Sequence, residues 1–212
     1  MKIAVIGTGN VGGTLGKRWA KAGHEVIFGA RDPTGAKVAA LARESGAQAK
    51  SVPEAAREAA VVLLAVPWDN AQQALAAAGD LKGRILIDAT NPVPLNPEGL
   101  RNGLVIGHTT SGGEEIARWA KGTRVVKAFN TTGWPNMADP LYGSQALSML
   151  LCGDDAEAKK AVAGLAQQLG FEPVDVGALR SARYLEAMAM LYIDMAILQG
   201  FGTNFGFRLI KR

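Results

Sequence analysis

The run Gly7-Thr8-Gly9-Asn10-Val11-Gly12 has the spacing G-x-G-x-x-G, and it stands where that spacing has a physical meaning. An apolar, β-branched stretch, Lys2 to Ile6, leads into it, and a segment with Val11, Leu15 and Trp19 on one helical face leaves it. In a strand–turn–helix setting Gly7 permits the tight turn, and Gly9 lets a pyrophosphate approach the backbone with no Cβ in the way. Gly12 allows the helix to pack closely on the strand. The unpaired N–H groups at the helix start then face the phosphates. The pattern predicts a dinucleotide cradle formed by Gly7, Thr8, Gly9, Asn10, Val11 and Gly12.

A second apolar stretch, Glu25 to Phe28, ends on Gly29-Ala30-Arg31-Asp32, about where such a unit meets the adenosine ribose. An acidic residue there accepts bonds from a free 2′-hydroxyl and repels a 2′-phosphate, whereas a guanidinium forks onto phosphate oxygens. Arg31 is the first polar residue after Ala30, so the spacing favours NADP over NAD. Lys37 is either a second cation for that phosphate or solvated surface charge. Asp32 is either the ribose acid displaced by one position or, with Pro33 after it, the N-cap of the next helix.

Ligands of open α/β sheets lie beyond the carboxyl ends of the strands. Three loops there are polar: Pro67-Trp68-Asp69-Asn70, Ala89-Thr90-Asn91-Pro92 and Asn130-Thr131-Thr132-Gly133. Val66, Pro67 and Trp68 are expected to line the cofactor, Trp68 with its aromatic face on a ring or ribose. Asn91 with Pro92, and Asn130 with Ala128, are expected beside the nicotinamide, although each asparagine is equally suited to closing a turn.

Other chemistries lack their residues. Gly16-Lys17 is not a P-loop, because Val11 and Arg18 stand where the earlier glycine and the following hydroxyl belong. Neither His24, at the turn into the second strand, nor His108 has a Cys or acidic partner at metal-ligand spacing, so no metal is expected. None of Tyr142, Tyr184 and Tyr192 is followed four residues later by lysine, so the Tyr-Lys pair of short-chain dehydrogenases is absent. No general acid stands out. Transfer between two bound redox rings needs proximity and orientation more than a proton shuttle, and Asn130 is the candidate beside the acceptor.

The elements that must hold these loops read as a βαβα alternation, the form of a parallel sheet covered on both faces. Strands are expected at Lys2 to Ile6, Glu25 to Phe28, Val61 to Val66, Ile85 to Asp88, Leu104 to Gly107, Val125 to Phe129, Ser148 to Cys152 and Pro173 to Val176. Ser111 and Glu114 have capping-box spacing before a helix at Glu114 to Ala120. A second helix, Asp155 to Leu169, is closed by Gly170. The fold class is α/β, a Rossmann-type doubly wound, mostly parallel sheet with a C-terminal helical extension. Residues 1–176 are expected to form the dinucleotide-binding domain with extra C-terminal strands. Residues 177–212 form a helical segment, apolar almost all round from Leu179 to Leu198, that packs on that domain or on a partner subunit in a homodimer.

The 212 residues are 48% hydrophobic and 20% charged, the balance of a folded enzyme or binder. The formal charge of +4 is scattered, without the basic stripe a nucleic acid requires. The single cysteine, Cys152, cannot form an internal disulfide. The start runs straight into a strand, with no room for a signal peptide, and Ala187 to Leu198 is too short to span a bilayer and contains Asp194. A cytoplasmic protein with a small-molecule redox acceptor and no membrane is expected.

Nearly end to end, the chain resembles the coenzyme F420-dependent NADP oxidoreductase family, which passes hydride between NADPH and a deazaflavin. The resemblance rests on Gly7-Thr8-Gly9-Asn10-Val11-Gly12, Gly29-Ala30-Arg31, Val66-Pro67-Trp68, Cys152-Gly153-Asp154-Asp155 and Val176-Gly177-Ala178-Leu179-Arg180-Ser181-Ala182-Arg183. It implies that Thr8 to Val11 hold the pyrophosphate, Arg31 the 2′-phosphate, and Trp68 with Gln72 the adenosine or ribose side. Two positions depart from the family. Ala30 replaces a serine, and Asn130-Thr131-Thr132-Gly133 replaces a His-Thr-Ile-Pro type segment beside the deazaflavin. Phe129-Asn130-Thr131 is similar instead to bacterial relatives and to the cytosolic domain of transmembrane metalloreductases that use flavin and NADPH. The resemblance implies hydride transfer between NADP(H) and coenzyme F420 or a flavin. The alternatives are an NADP(H)-binding redox sensor without turnover and a reductase of a small carbonyl or imine.

Overall fold

The computed structural model describes residues 1–94 and 96–212. In chain order the elements of the first half are β1 (Lys2–Ile6), α1 (Asn10–Lys21), β2 (Glu25–Ala30), α2 (Ala36–Ser45), β3 (Gln48–Ser51), α3 (Val52–Glu58), β4 (Val61–Leu64), α4 (Ala71–Ala78) and β5 (Ile85–Asp88). The second half contains α5 (Pro97–Asn102), α6 (Gly112–Trp119), β6 (Arg124–Lys127), α7 (Trp134–Ala138), β7 (Leu141–Tyr142), β8 (Gln145–Ala146), β9 (Ser148–Gly153), α8 (Ala156–Gln168), β10 (Glu172–Asp175) and α9 (Ala182–Ile193). A turn of π-helix, Asp194–Leu198, continues α9.

Eight strands form one sheet in the order β10-β9-β6-β5-β4-β1-β2-β3, parallel except where β9 meets β6. The order reverses between β1 and β4, the crevice where doubly wound sheets hold ligands. Alternate residues of β1 feed opposite cores. Ile3 and Val5 join Leu15 and Trp19 of α1, Phe28 and the α8 residues Val162 and Leu165. Ala4 and Ile6 join α3, α4 and Ile116 of α6 on the other face. Leu15 and Phe28 are wholly buried, each contributing about 1.5–3 kcal/mol relative to exposure. The Trp19 indole N–H donates to the Leu165 carbonyl at 3.3 Å, tying α1 to α8.

Two sequence expectations are corrected, and one strand that the sequence did not announce is present. Leu104 to Gly107 is a loop between α5 and α6, because β5 and β6 pair directly with each other and leave it no sheet position. Gln48–Ser51, with no apolar run to announce it, is the edge strand beside β2. Asp32-Pro33 does not start α2, which begins at Ala36; the Asp32 Oδ1 atom instead accepts from the Thr34 backbone N–H at 3.0 Å and from its hydroxyl at 2.7 Å, closing a local turn. The Ser111 cap is present at 3.2 Å from the Glu114 N–H, with α6 beginning two residues earlier than expected. The Glu114 carboxylate accepts the Ser111 hydroxyl and the Nε–H and Nη2–H groups of Arg183. Its hydrogen bonds with Arg183 hold the carboxyl below the usual glutamate range despite partial burial.

Candidate functional site

Two glycines of the loop after β1 are demanded by the protein's own packing. Gly7 has φ 105°, and a Cβ on it would lie 2.2 Å from the Ala65 carbonyl oxygen. A Cβ on Gly12 would lie 1.9 Å from the Gly7 carbonyl oxygen, inside the strand–helix contact. Gly9 differs from both: its backbone is extended, with φ −77°, and a Cβ there meets nothing within 4 Å. Gly9 also N-caps α1 with no side-chain hydrogen bond, and the first turn of α1 holds no acidic residue. The helix therefore presents open space and uncompensated N–H groups, which suit an anion.

A cleft of roughly 330 Å³ opens from this loop over the carboxyl ends of β1, β2 and β4. Gly7, Thr8, Gly9, Ala30, Arg31, Val66 and Pro67 line it with Asn70 of the same polar loop, joined by Val52, Gln73 and Ala74, which the sequence had not singled out. Arg31 is exposed and forms no ion pair among the described residues. Hydrogen bonds from Thr34 lower the Asp32 carboxyl below the usual aspartate value. With Asp32 turned into its own loop, the guanidinium of Arg31 is the charge that faces the cleft. A second recess, about 350 Å³, lies beside Gly9 and is lined by Asn10, Lys17, Lys37 and the half-exposed Trp134.

The loop after β4 sends its residues two ways. Trp68 stacks on Trp119 of α6, ring centroids 5.4 Å apart, and is not among the residues lining the cleft. Gln72 lines a different recess beside Leu75 and Trp119, while its neighbour Gln73 faces the cleft. One residue along an α-helix is a rotation of about 100°, so a sequence motif without helical phase cannot separate the two.

Beyond β5 and β6 the polar side chains face one another. The Asn91 side-chain amide donates to the Asn130 carbonyl at 2.9 Å, and the Asn130 amide donates to the Asn91 Oδ1 atom at 3.0 Å and to the Leu185 carbonyl of α9 at 3.2 Å. Asn130 Oδ1 is buried without a donor among the described residues. Ala128 and Pro92 are buried at the base of these loops. Phe129, buried between Trp19 and Phe171, has φ 64°. That left-handed residue ends β6, earlier than the sequence suggested, and turns the chain so that Asn130 meets α9.

Beneath this amide pair lies a cluster that sequence reasoning missed. Lys127 Nζ is wholly buried and lies 2.8 Å from Asp88 Oδ2, 2.7 Å from Glu186 Oε1 and 2.7 Å from the Thr90 carbonyl oxygen. Asp88 Oδ1 accepts the Thr90 N–H and hydroxyl at 2.9 and 2.7 Å. Glu186 accepts the Gly112 and Gly113 N–H groups, at 2.8 and 2.9 Å, at the start of α6. Burial alone would lower the Lys127 ammonium, but the Asp88 and Glu186 carboxylates hold it above the usual lysine value. The usable signal was one acid and one base at the ends of the neighbouring strands β5 and β6, Asp88 and Lys127, which parallel register sets side by side. Burial pushes the nearby Cys152 thiol up to about 12, leaving it protonated and unreactive at neutral pH. No helix among the described residues is long and apolar enough to cross a membrane.

Comparison with known proteins matches residues 2–92 to a family model described as NADP oxidoreductase, coenzyme F420-dependent. The F420-dependent NADP reductase of Methanothermobacter marburgensis is 34% identical over 209 residues, 93% of this chain and 93% of that protein. A crystal structure from Arthrobacter sp. FB24, named as a candidate F420-dependent NADP reductase, superposes with a TM-score of 0.88 at 32% identity, covering all of both chains. The rat metalloreductase STEAP3 is 34% identical over 190 residues, but this chain spans only 36% of its length.

Proposed function

This chain belongs to the coenzyme F420-dependent NADP oxidoreductase family, and on that premise we propose that it exchanges hydride between NADP(H) and a deazaflavin or flavin. The observation that carries the reading is Gly9: its missing side chain relieves no clash within the protein, and it opens onto the cleft at the α1 N-terminus, where no acidic residue competes with a bound pyrophosphate. The bound rings supply the redox chemistry, in which a hydride leaves the dihydronicotinamide and the acceptor ring takes it up together with one solvent proton.

The chain's own residues bind and orient. The loop from Gly7 to Gly12, with Thr8, Asn10 and Val11, holds the pyrophosphate at the α1 N-terminus. Arg31 forks onto the 2′-phosphate beside Ala30, with Lys37 as a second cation across the loop. Val66 and Pro67 wall the adenosine. Asn91 and Asn130, over Ala128 and Pro92, set the nicotinamide face and the acceptor beside it. Residues 1–176 carry the dinucleotide site, and residues 177–212 close its acceptor side. Exposed Tyr184, Leu191, Ile197 and Phe201 on and after α9 support a homodimer through this segment, which sedimentation velocity would register as a single two-chain species. A cytoplasmic location fits the lone, buried Cys152.

The test is to mix protein and NADPH with coenzyme F420, FMN or FAD and to follow the absorbance of both rings. Matched loss of the nicotinamide and acceptor bands is expected with at least one of them. NADPH binding with no change in any acceptor contradicts the reading.

A further inference from the structure

Two parallel bridges join the same three elements. The upper one is made of amides: Asn91 after β5, Asn130 after β6 and the Leu185 carbonyl of α9. The lower one is ionic: Asp88 of β5, Lys127 of β6 and Glu186 of α9. Their members stand three residues apart on the two strand exits and adjacent on α9. Lys127 and Asp88 both grip Thr90, the residue before Asn91, through its carbonyl, N–H and hydroxyl.

Stability alone does not account for the ionic bridge. Desolvating three charges is costly, and well-packed apolar side chains of similar volume generally hold elements together as well or better. Apolar side chains cannot fix a peptide group in direction, and this cluster fixes the two peptide groups flanking Thr90, one through its N–H and the next through its C=O. The amide bridge above is likewise assembled at a cost: Phe129 is held in a left-handed conformation that side chains disfavour, and Asn130 keeps a buried acceptor unpaired. Both costs fall on residues that orient Asn130.

We propose that the Asp88–Lys127–Glu186 cluster is a positioning device for the reaction, setting the spacing of Asn91 and Asn130 and so the alignment of the acceptor with the nicotinamide. The residues act through the two asparagines and touch neither ring. The proposal rests on the placement of the nicotinamide given under Proposed function.

The experiment compares the wild type with Glu186→Gln, Asn91→Ala and the double variant. It reads the affinity for 2′,5′-ADP, which reports the adenosine half of the site alone, and the single-turnover hydride-transfer rate from saturating NADPH to F420. Glu186→Gln is expected to leave 2′,5′-ADP affinity unchanged and to slow transfer roughly 100-fold, the scale of an ångström of misplacement. Because Glu186 acts through Asn91 and Asn130 together, the double variant is expected to lose less than the product of the two single effects. Thr90→Val keeps all three charges, removes only the hydroxyl bond to Asp88, and is expected to slow transfer in the same sense by less; it serves if Glu186→Gln fails to fold. Unchanged transfer, multiplying effects in the double variant, or parallel loss of 2′,5′-ADP affinity overturns the proposal. If the wild type transfers hydride to no acceptor, the functional reading has failed. The positioning claim then stands or falls on whether the Asn91 and Asn130 side-chain amide resonances shift in Glu186→Gln.

Discussion

The two ends of the proposed dinucleotide site are built on opposite physical terms. The proposed adenosine end is an open cleft of mostly small and apolar residues, in which Thr8, Asn70 and Gln73 are neutral polar side chains and exposed Arg31 is the charged one. The proposed nicotinamide end stands on polar side chains packed away from solvent, with Asp88, Lys127, Glu186 and Asn130 all buried. An open, preformed anion cradle suffices to hold a ligand by its phosphates. Hydride transfer is more demanding, because two rings must meet at a set distance and angle, and there the chain invests in rigid, directional contacts.

The largest effect that sharpens this contrast is expected at the nicotinamide end. Lys127→Met strands two buried carboxylates and should cost about 3–5 kcal/mol of unfolding free energy, read from urea denaturation. Since the Lys127 ammonium lies above the ordinary 10.5 in the folded protein, its contribution is complete below that pH and fades as pH rises through the folded value. The stability gap between wild type and variant should therefore narrow as pH rises above about 10. A gap that opens with rising pH would contradict the assignment.

At the open end the effects should fall on binding. Arg31→Ala should cut the preference for NADPH over NADH roughly ten-fold, in a competition titration, while leaving the thermal midpoint in place. An unchanged preference would remove Arg31 from the 2′-phosphate. The glycines separate ligand from fold most finely. Gly12→Ala collides with the Gly7 carbonyl oxygen at 1.9 Å and should destabilise the protein by about 1–3 kcal/mol. Gly9→Ala meets nothing within 4 Å, so it should cost at most the roughly 1 kcal/mol by which alanine is the poorer N-cap and weaken NADPH in calorimetry. Equal behaviour of the two would mean that Gly9 serves the fold.

The same division governs what could be read from the sequence. The open end was legible because its determinants are local: Gly7 to Gly12 and Arg31 each stand at a fixed offset from a strand. The apolar runs of β1, β4 and β5 likewise betrayed a sheet buried on both faces. Local reading failed where partners are distant. Asp88, Lys127 and Glu186 are brought together by parallel register and by the return of α9, and charged residues are ordinarily assigned to the surface. Leu104 to Gly107 looked like a strand because composition carries no information on whether a neighbouring strand is free to pair. Gln72 was placed a residue away from Gln73, the side chain that helical phase turns toward the cleft.

The most direct test of the account is to follow a label. NADPH carrying deuterium at the transferable position of nicotinamide C4 is mixed with the protein and F420, and the reduced deazaflavin is analysed by mass spectrometry. The ring position that receives hydride in a deazaflavin is carbon, so a transferred deuterium stays in place. The account predicts one deuterium on each reduced F420. Reduced F420 without label, or oxidation of NADPH with its deuterium released to water, would contradict direct transfer between two rings held at the strand ends.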